Sequence, residues 1–399
     1  MERFLAYVQI DTQSNETVET SPSSEGQLQL GQFLAVELKK MGIQDASVDE
    51  HGYVTATLEG DASKGTVGLL AHLDTAPAAP GAGVKPILHQ DYDGGDILLS
   101  DGVTLVADEN PELKRYIGDT IITSDGTTLL GADDKAGIAV IMTAIEYLIK
   151  HPEIPHPRIR VCFTPDEEIG RGTKYFPFST FGADVAYTLD GSIAGEINIE
   201  TFEASSAVVT FEGVSTHPGV AKGKLVNALK WMGRFIEELP QEQSPEETDG
   251  RDGFIHPVSV SGDSSVCQLE LILRDFSESK LHELEDRLGQ LSEALMRREP
   301  RLRILLDIRE GYPNMYKFLK NSPLILKRLE DAVRQTGLTP IIVPIRGGTD
   351  GSMLTKEGLL CPNIFAGGMN LHDKREWISD RAMALSLCTV LNLMVSHTT

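Results

Sequence analysis

The stretch GIAVIMTAIEYLIKHPEIPHPRIRVCF, residues 137–163, reads as an apolar helix followed by a buried strand. Residues 137–150 are strongly apolar, and the helix must end before Pro152, which cannot continue it. After a short turn, residues 158–163 form an apolar-rich run of the length expected for one strand. A helix that leads into a strand in this way is typical of an α/β sheet, and the flanking sequence repeats the pattern.

The same alternation continues on both sides of this stretch. The further segments with helix or strand patterns are helix 26–41, strands 67–71 and 184–189, helix 322–335, strands 341–345 and 362–366, and helix 379–395. Strands that alternate with helices predict an α/β layer with a mainly parallel sheet. In such sheets functional groups gather at the carboxyl ends of the strands.

The middle of the chain follows another order. Its predicted elements are strand 207–212, helix 223–239, strands 254–260 and 266–274, helix 277–298 and strand 302–309. This β-α-β-β-α-β order is that of the ferredoxin-like split motif. We therefore predict an α/β domain built from residues 1–204 and 312–399, with a second domain, residues 205–311, inserted into it.

Composition narrows the class of function. The 399 residues are 41% hydrophobic and carry a net charge of −23, with a pI of about 4.8. Such acidity disfavours a nucleic-acid surface, and no stretch approaches the ~18 apolar residues of a membrane span. The first residues lack the pattern of a signal peptide. Four scattered cysteines without a CxxC pair indicate reduced thiols, so we expect a cytoplasmic protein. These are Cys162, Cys267, Cys361 and Cys388.

Acidic and histidine residues follow five of the predicted strand ends and loops. They are His72 and Asp74, Asp133 and Asp134, Glu167 and Glu168, Asp190, and His372. Taken singly, each has an ordinary interpretation: a strand-end histidine, a helix N-cap, a solvated turn or a surface histidine. Their common location at one edge of one sheet favours a metal site instead. Two imidazoles with several carboxylates suit zinc, and cobalt or manganese less well.

The spacing His72-x-Asp74 adds a detail to this hypothesis. In an extended segment, residues two apart point to the same face. The Asp74 side chain is therefore expected to bond the far ring nitrogen of His72 and fix its tautomer.

The motifs HLDT, LLGADDKAG, TPDEEIG, YTLDG, STHPG, IRGGTDG and NLHDKREW, in this order, resemble the motif set of the M20 metallopeptidases. The resemblance extends over nearly the whole chain. It implies an α/β/α zinc-peptidase domain with two Zn²⁺ ions per subunit, interrupted by a ferredoxin-like lid or dimerisation domain. It also implies small peptides as substrates and a homodimer formed through the insert.

Within that resemblance, the family pattern assigns ligands residue by residue. His72 and Asp190 correspond to the ligands of one zinc, and Glu168 and His372 to those of the other. The bridging ligand corresponds to Asp133, two residues before the lysine of the motif, although Asp134 is an open alternative.

Two further site features follow from the same pattern. The family's general base corresponds to Glu167, and the peptide bond between Asp133 and Asp134 is one that is often cis in this family.

Substrate contacts are also implied by the resemblance. It points to His217, Asn227 and Arg274 in the insert and to Arg346 in the first domain. The resemblance assigns His217 to stabilise the oxyanion, in its own subunit or in the active site of a partner subunit. The alternative is a turn histidine before Pro218. For Arg274 the alternative is a salt bridge with Asp275 or Asp307.

The resemblance thus implies a zinc-dependent aminopeptidase that releases the N-terminal residue from tripeptides. Another M20 hydrolase, such as a dipeptidase or an N-acyl amino-acid deacylase, is the nearest alternative. An inactive peptide-binding protein is the alternative from a different class. Against the latter stands the presence of Glu167 and of all five assigned ligands.

Overall fold

The computed structural model describes residues 1–397, with only the backbone of Asp101. It divides into two compact units. The first unit comprises residues 1–199, 317–343 and 349 onwards, and the second comprises residues 200–316 and 344–348. Each unit is described separately below.

The α-helices of residues 1–397 are numbered along the chain. They are α1 (Glu2–Tyr7), α2 (Glu25–Lys40), α3 (Ala132–Lys150), α4 (Phe178–Phe181), α5 (Ala228–Glu237), α6 (Glu278–Arg298), α7 (Tyr316–Leu319), α8 (Pro323–Arg334), α9 (Asp350–Lys356) and α10 (Asp380–Ser396). Short 3₁₀ helices include Glu167–Ile169 and Pro218–Val220. Within this part of the chain, no helix has both the length and the apolar character needed to cross a bilayer.

The strands are numbered in the same way. They are β1 (Ser47–Val48), β2 (Val54–Leu58), β3 (Asp61–His72), β4 (Ile87–His89), β5 (Ile97–Leu98), β6 (Thr104–Leu105), β7 (Ile121–Thr123), β8 (Pro157–Thr164), β9 (Val185–Gly191), β10 (Glu196–Asn198), β11 (Glu203–Glu212), β12 (Phe254–Gly262), β13 (Val266–Asp275), β14 (Arg303–Glu310), β15 (Ile341–Ile342), β16 (Asn363–Phe365), β17 (Gly368–Met369) and β18 (Trp377–Ser379).

The first unit is built on an eight-stranded sheet in the order β1-β2-β8-β3-β9-β16-β10-β15. Its four central strands, from β8 to β16, run parallel. Successive residues of β3 enter different cores: Leu69 packs into the core that contains α3, and Leu70 packs into the core that contains Phe181. A strand covered on both faces needs a continuous apolar run, which explains the sequence of 67–71. The α/β prediction is confirmed.

A smaller four-stranded sheet, β17-β18-β7-β4, also belongs to the first unit. Its strands are only two or three residues long, so they lack the periodicity by which a strand is recognised in sequence. The loop between β17 and β18 carries His372, and the helix α3 lies against β17. This second sheet therefore brings a distant part of the chain to the start of α3.

The second unit has the order β11-α5-β12-β13-α6-β14 and one antiparallel sheet, β12-β13-β11-β14. This is the ferredoxin-like arrangement that the sequence predicted. Buried and partly buried residues alternate along β11, and its buried set packs with residues of both helices, such as Phe235 and Leu288. One face of the sheet thus forms the core of this unit.

The second unit extends beyond the predicted insert, 205–311. At one end, the Asn314 side chain donates to the Phe276 carbonyl and accepts from the Thr201 backbone N–H. Residues 344–348, expected in the first domain, also belong here because Arg346 is bonded to the loop at 248–252. Side-chain contacts of this kind, far apart in sequence, leave no local signal at a boundary.

Two predicted elements are shorter in the structure. Helix α5 begins at Ala228 rather than at residue 223, because the Asn227 side chain accepts from the Lys230 backbone N–H and caps the helix. The strand expected at 341–345 is confined to Ile341–Ile342, and Pro344 follows it.

Candidate metal centre

The carboxyl ends of parallel strands bring the predicted ligands of the first unit together. β3 ends at His72, β8 ends just before the turn that carries Glu168, and Asp190 is the penultimate residue of β9. Asp133 lies at the start of α3. His372 follows β17 rather than β16 directly, in a left-handed backbone conformation (φ 63°). Five separate chain segments thus meet at one edge of the sheet.

The first imidazole, that of His72, is buried and oriented through its own chain. Its Nδ1–H donates to the Asp74 carbonyl oxygen at 3.0 Å, which leaves Nε2 unprotonated in the neutral ring. Nε2 lies 2.8 Å from Oδ1 of Asp133 and 3.8 Å from Oδ1 of Asp190. A ring nitrogen that faces two carboxylates in this way can bind a cation between them.

The second imidazole, that of His372, faces two carboxylates as well. Its Nε2 lies 2.9 Å from Oε1 of Glu168 and 3.2 Å from Oδ2 of Asp133. Oε1 of Glu168 is buried, yet no described residue gives it a hydrogen bond of acceptable geometry, in spite of the short distance to the ring. A buried oxygen without a bonded proton is a natural metal ligand. Since Oδ1 of Asp133 faces His72 and Oδ2 faces His372, the two oxygens of this carboxylate face different imidazoles.

Asp134, the neighbour of Asp133, occupies a different environment. The peptide bond between them is cis, as the family resemblance implied. Asp134 is fully buried, and its two oxygens accept from the backbone N–H groups of His72 and Gly137 at 3.2 and 3.1 Å. One of these oxygens still lies within 4.8 Å of ligand atoms of His72 and Asp190. The ligand atoms of His72, Asp133 and Glu168 likewise lie within 4.8 Å of one another. The geometry favours Asp133 as the shared ligand, because its oxygens are not occupied by amides.

The carboxylate of Asp74 is bonded mainly to the turn that carries Glu167 and Glu168, and its contact with His72 is longer. Its two oxygens accept from the backbone N–H groups of Glu167 and Glu168 at 3.0 and 3.1 Å. Oδ1 is also 3.4 Å from Nδ1 of His72. The sequence predicted that Asp74 fixes the tautomer of His72, but the shorter contact comes from its carbonyl group. Asp74 thus connects the first imidazole to the turn that carries both glutamates.

Electrostatics also fits a bound cation. Removal from water raises the pKa of Glu167 and of Asp190, and neighbouring carboxylates raise it further. Contacts with Asp133 and Glu168 raise the pKa of His372 to about 10. These shifts describe negative charge concentrated where water is scarce, which a metal ion would neutralise. The residues present therefore fit a pair of metal ions with imidazole and carboxylate ligands.

Glu376 is a site residue that the sequence argument did not single out. It is buried, and its Oε2 accepts from the N–H groups of Leu130 and Gly131, both at 2.7 Å. Its Oε1 accepts from the Asp133 N–H at 3.0 Å. Its only signal in the sequence was its position immediately before the apolar residues that begin β18. Through it, the segment that carries His372 holds the backbone that carries Asp133.

The predicted substrate residues lie in the second unit. His217 and Asn227 have local bonds, and that of His217 matches its alternative interpretation as a turn residue. The ring of His217 accepts from the Gly219 N–H at the start of a 3₁₀ helix, and Asn227 caps α5. His217 is exposed.

The two predicted arginines are both bonded to backbone carbonyls. Arg274 donates to the carbonyls of Ser205 and Leu273. Arg346 donates to the carbonyls of residues 248, 250 and 252 and to the Thr248 hydroxyl, with its guanidinium 5.2 Å from the Phe202 ring centre and 5.8 Å from that of Phe254. Phe254 is the strand partner of Arg274, so both arginines are near one end of the same sheet.

Comparison with known proteins places this site in context. A model of "Peptidase family M20/M25/M40" matches residues 124–395. A protein named peptidase T from Bacillus subtilis is 47% identical over 397 residues, which cover 98% of this chain and 97% of that relative. A peptidase T from Shouchella clausii is 46% identical over 395 residues, with the same coverage.

Solved structures show the same fold. Aminopeptidase PepT from Bacillus cereus has a TM-score of 0.77 at 23% identity, and a tripeptidase from Staphylococcus aureus has 0.78 at 21%. Each match covers all of this chain and 98% of the other. A Bacillus subtilis protein described as a dinuclear metal-binding peptidase of the M20 family has a TM-score of 0.67 at 12% identity and covers 99% and 96%.

Proposed function

Since the chain belongs to peptidase family M20/M25/M40, we propose that it is an aminopeptidase that uses two metal ions to remove the N-terminal residue from tripeptides. The names of its relatives, peptidase T and tripeptidase, support this substrate class. The observation that carries the proposal is the Asp133 carboxylate, whose two oxygens face two different imidazoles.

On this geometry, Asp133 would hold both ions. His72 and Asp190 would hold one of them with it, and Glu168 and His372 the other. We propose zinc as the native metal, because imidazole and carboxylate ligands in small numbers suit it, with Co²⁺ and Mn²⁺ as substitutes. When bound, the two ions polarise the scissile carbonyl and lower the pKa of the attacking water.

The protein groups supply the proton transfers. Glu167 accepts a proton from water as the new C–O bond forms. It then donates that proton to the amine nitrogen as the C–N bond breaks. Asp74 holds the backbone of Glu167 in place during both steps, through its bond to the Glu167 N–H. His72 does not need to exchange a proton, since its Nδ1–H stays bonded to the Asp74 carbonyl.

For the substrate we propose contacts with His217, Asn227, Arg274 and Arg346. A C-terminal carboxylate is a stronger acceptor than a carbonyl, because its bond to an arginine is charge-assisted and can be bidentate. It would therefore replace carbonyl partners of Arg346. We propose that this contact selects peptides by length.

A panel of peptides tests this function. The panel contains one di-, one tri- and one tetrapeptide of related sequence, the N-acetylated tripeptide and the tripeptide amide, with products separated by chromatography. The free tripeptide is expected to have the highest kcat/KM, and the amide to have a raised KM. Equal turnover of the acetylated tripeptide would identify a deacylase, preference for the dipeptide a dipeptidase, and binding without turnover a peptide-binding protein.

Metal analysis tests the cofactor. The purified protein is expected to contain two metal ions per chain, to lose activity on dialysis against a chelator and to regain it with Zn²⁺. One ion or none in an active enzyme would contradict the two-metal proposal.

A homodimer with a shared site and a cytoplasmic location are further proposals. The four cysteines are all free thiols, which persist in a reducing compartment. If His217 acts in the partner subunit, the inactive variants His217→Ala and Glu167→Ala should restore activity when their subunits are exchanged. Mixed dimers that form and stay inactive would contradict the shared site.

A further inference from the structure

The glutamates Glu167 and Glu168 lie in a closed turn, residues 166–171. The N–H of Arg171 donates to the Asp166 carbonyl at 2.9 Å and closes the turn at its base. Asp166 has a left-handed backbone (φ 57°), a conformation that few residues other than glycine, asparagine and aspartate adopt readily. Both residues of the base, one on each side of the glutamates, extend their side chains to the same distant segment, residues 16–27.

Asp166 is bonded to the start of α2. Its carboxylate is fully buried and accepts from the Ser23 N–H at 2.8 and 3.0 Å, from the Ser23 hydroxyl at 2.5 Å and from the Gln27 amide at 2.7 Å. The contact is reciprocal, because the side-chain oxygen Oε1 of Gln27 accepts from the Asp166 N–H at 3.0 Å. A buried carboxylate with this number of donors has little freedom to change orientation.

Arg171 is bonded to the preceding part of the same segment. Its guanidinium donates to the Val18 carbonyl at 2.5 Å and to the Glu16 carbonyl at 3.1 Å. The turn is therefore attached at two points, and the bond between Arg171 and Asp166 joins them. The hydrogen bonds described for these side chains do not involve the imidazoles or carboxylates of the candidate metal centre, so we expect them to act on the chemistry through the backbone of the turn.

We propose that residues 16–27 position the general base and its neighbouring ligand, with Asp166, Gln27 and Arg171 as the positioning residues. The inference rests on the proposed function, in which Glu167 exchanges protons with water. If the attachment is lost, the left-handed Asp166 relaxes and the two glutamates move relative to the ligands on β3 and β9. A displacement of about 1 Å at a reacting group can cost 10²-fold in rate.

Gln27→Ala tests the inference with least disturbance, and Gln29→Ala on the exposed side of the same helix is the matched control. With metal at saturation, Gln27→Ala should lower kcat about 10- to 100-fold, as is typical for residues that support metal ligands, while KM stays within about twofold. Amide hydrogen exchange of residues 167–170 should become faster, and exchange in the second unit should not change. Arg171→Lys, which keeps the charge but loses the fork of donors, should give a smaller change of the same kind.

Three results would overturn the inference. The first is a kcat of Gln27→Ala within twofold of the unsubstituted protein. The second is an equal loss in Gln29→Ala. The third is a loss that accompanies a general fall in thermal stability without faster exchange at 167–170, since a purely structural role would give that result. Failure of the proposed function can be told apart from failure of this inference, because the unsubstituted protein would then lack tripeptidase activity. Hydrogen exchange at residues 167–170 would still test the attachment in that case.

Discussion

Two pairs of adjacent carboxylates, Asp133–Asp134 and Glu167–Glu168, lie at the candidate metal centre and are held in similar ways. The backbone N–H groups at the first pair are bonded to the buried carboxylate of Glu376, and those at the second pair to that of Asp74. In both cases the acceptor comes from a distant segment. A fixed backbone thus allows each side chain of a pair to take a direction of its own.

The pairs differ in how their side chains are used. In the first pair, Asp133 faces both imidazoles while Asp134 accepts from two backbone amides. In the second pair, Glu168 faces His372, and Glu167 lies close enough to Asp190 for that charge to raise its pKa. In the proposed function, one pair therefore combines a metal ligand with a structural residue, and the other combines a metal ligand with the general base. Adjacency in sequence does not determine the role; the local bonding does.

The largest effect is expected within the first pair. Asp133→Asn removes the carboxylate that faces both imidazoles, so metal content should fall and activity should drop by about 10⁴-fold or more, as for the loss of an essential group. Asp134→Asn is the matched variant and should retain more metal. Elemental analysis after dialysis against a fixed free metal concentration measures both. A reversed order would make Asp134 the bridging ligand.

The second pair should separate rate from metal binding. Glu167→Ala is expected to retain both ions and to lose about 10²- to 10⁴-fold in kcat, since it removes the proposed general base. Glu168→Ala should instead weaken one metal site. Metal titration alongside steady-state kinetics checks both variants. Loss of metal in Glu167→Ala with retention in Glu168→Ala would exchange the two roles.

The carboxylates that hold the pairs should show intermediate effects. Glu376→Gln presents an amide to three backbone N–H groups, so the segment of Asp133 should be disturbed and metal affinity should fall about 10- to 100-fold. Asp74→Asn should act mainly on kcat, because Asp74 holds the turn that carries Glu167, the proposed general base. Metal affinity and kcat measured on both variants would show whether the two supports are equivalent. Equal effects on both quantities would mean that the pairs are coupled and cannot be compared separately.

The smallest expected effect is a pH dependence of stability caused by His397, which belongs to neither pair. His397 is buried, bonded to Tyr187 and Arg328, and burial lowers its pKa to about 4. The unfolded chain binds a proton at this residue near pH 6.5, so between about pH 6.5 and 4 it holds more protons than the folded chain. Stability should therefore fall as the pH falls through this window. Denaturant unfolding at several pH values should show a weaker dependence in His397→Gln, and an unchanged dependence would exclude this residue as the cause.

Much of the first unit was predictable because its sheet imposes a simple rule. Strands 67–71, 158–163 and 184–189 are covered on both faces, so their apolar runs are visible in sequence, and parallel neighbours place their following residues together. The loops that carry the candidate ligands were predicted to lie together on this basis. The ferredoxin-like order of the second unit was visible for a similar reason, since its helices and strands have distinct periods.

Other features depend on contacts that have no local pattern. The bonds of Glu376 to Leu130 and of Asp166 to Gln27 join residues 246 and 139 positions apart. Asp74 was expected to act on His72 with its carboxylate, yet the backbone amides of the acidic turn take those oxygens. Such choices among competing donors are decided by the folded structure. A sequence pattern shows which groups are near a site more readily than which atoms they bond.

The contact between His372 and Asp133 joins residues 239 positions apart, and that between Glu376 and Asp133 spans 243. During synthesis, the first imidazole and most carboxylates leave the ribosome long before these last partners do. A nascent chain therefore cannot complete the centre until residue 376 has emerged and folded onto α3. The order of synthesis thus makes the segment that carries His372 and Glu376 the last to join the candidate centre.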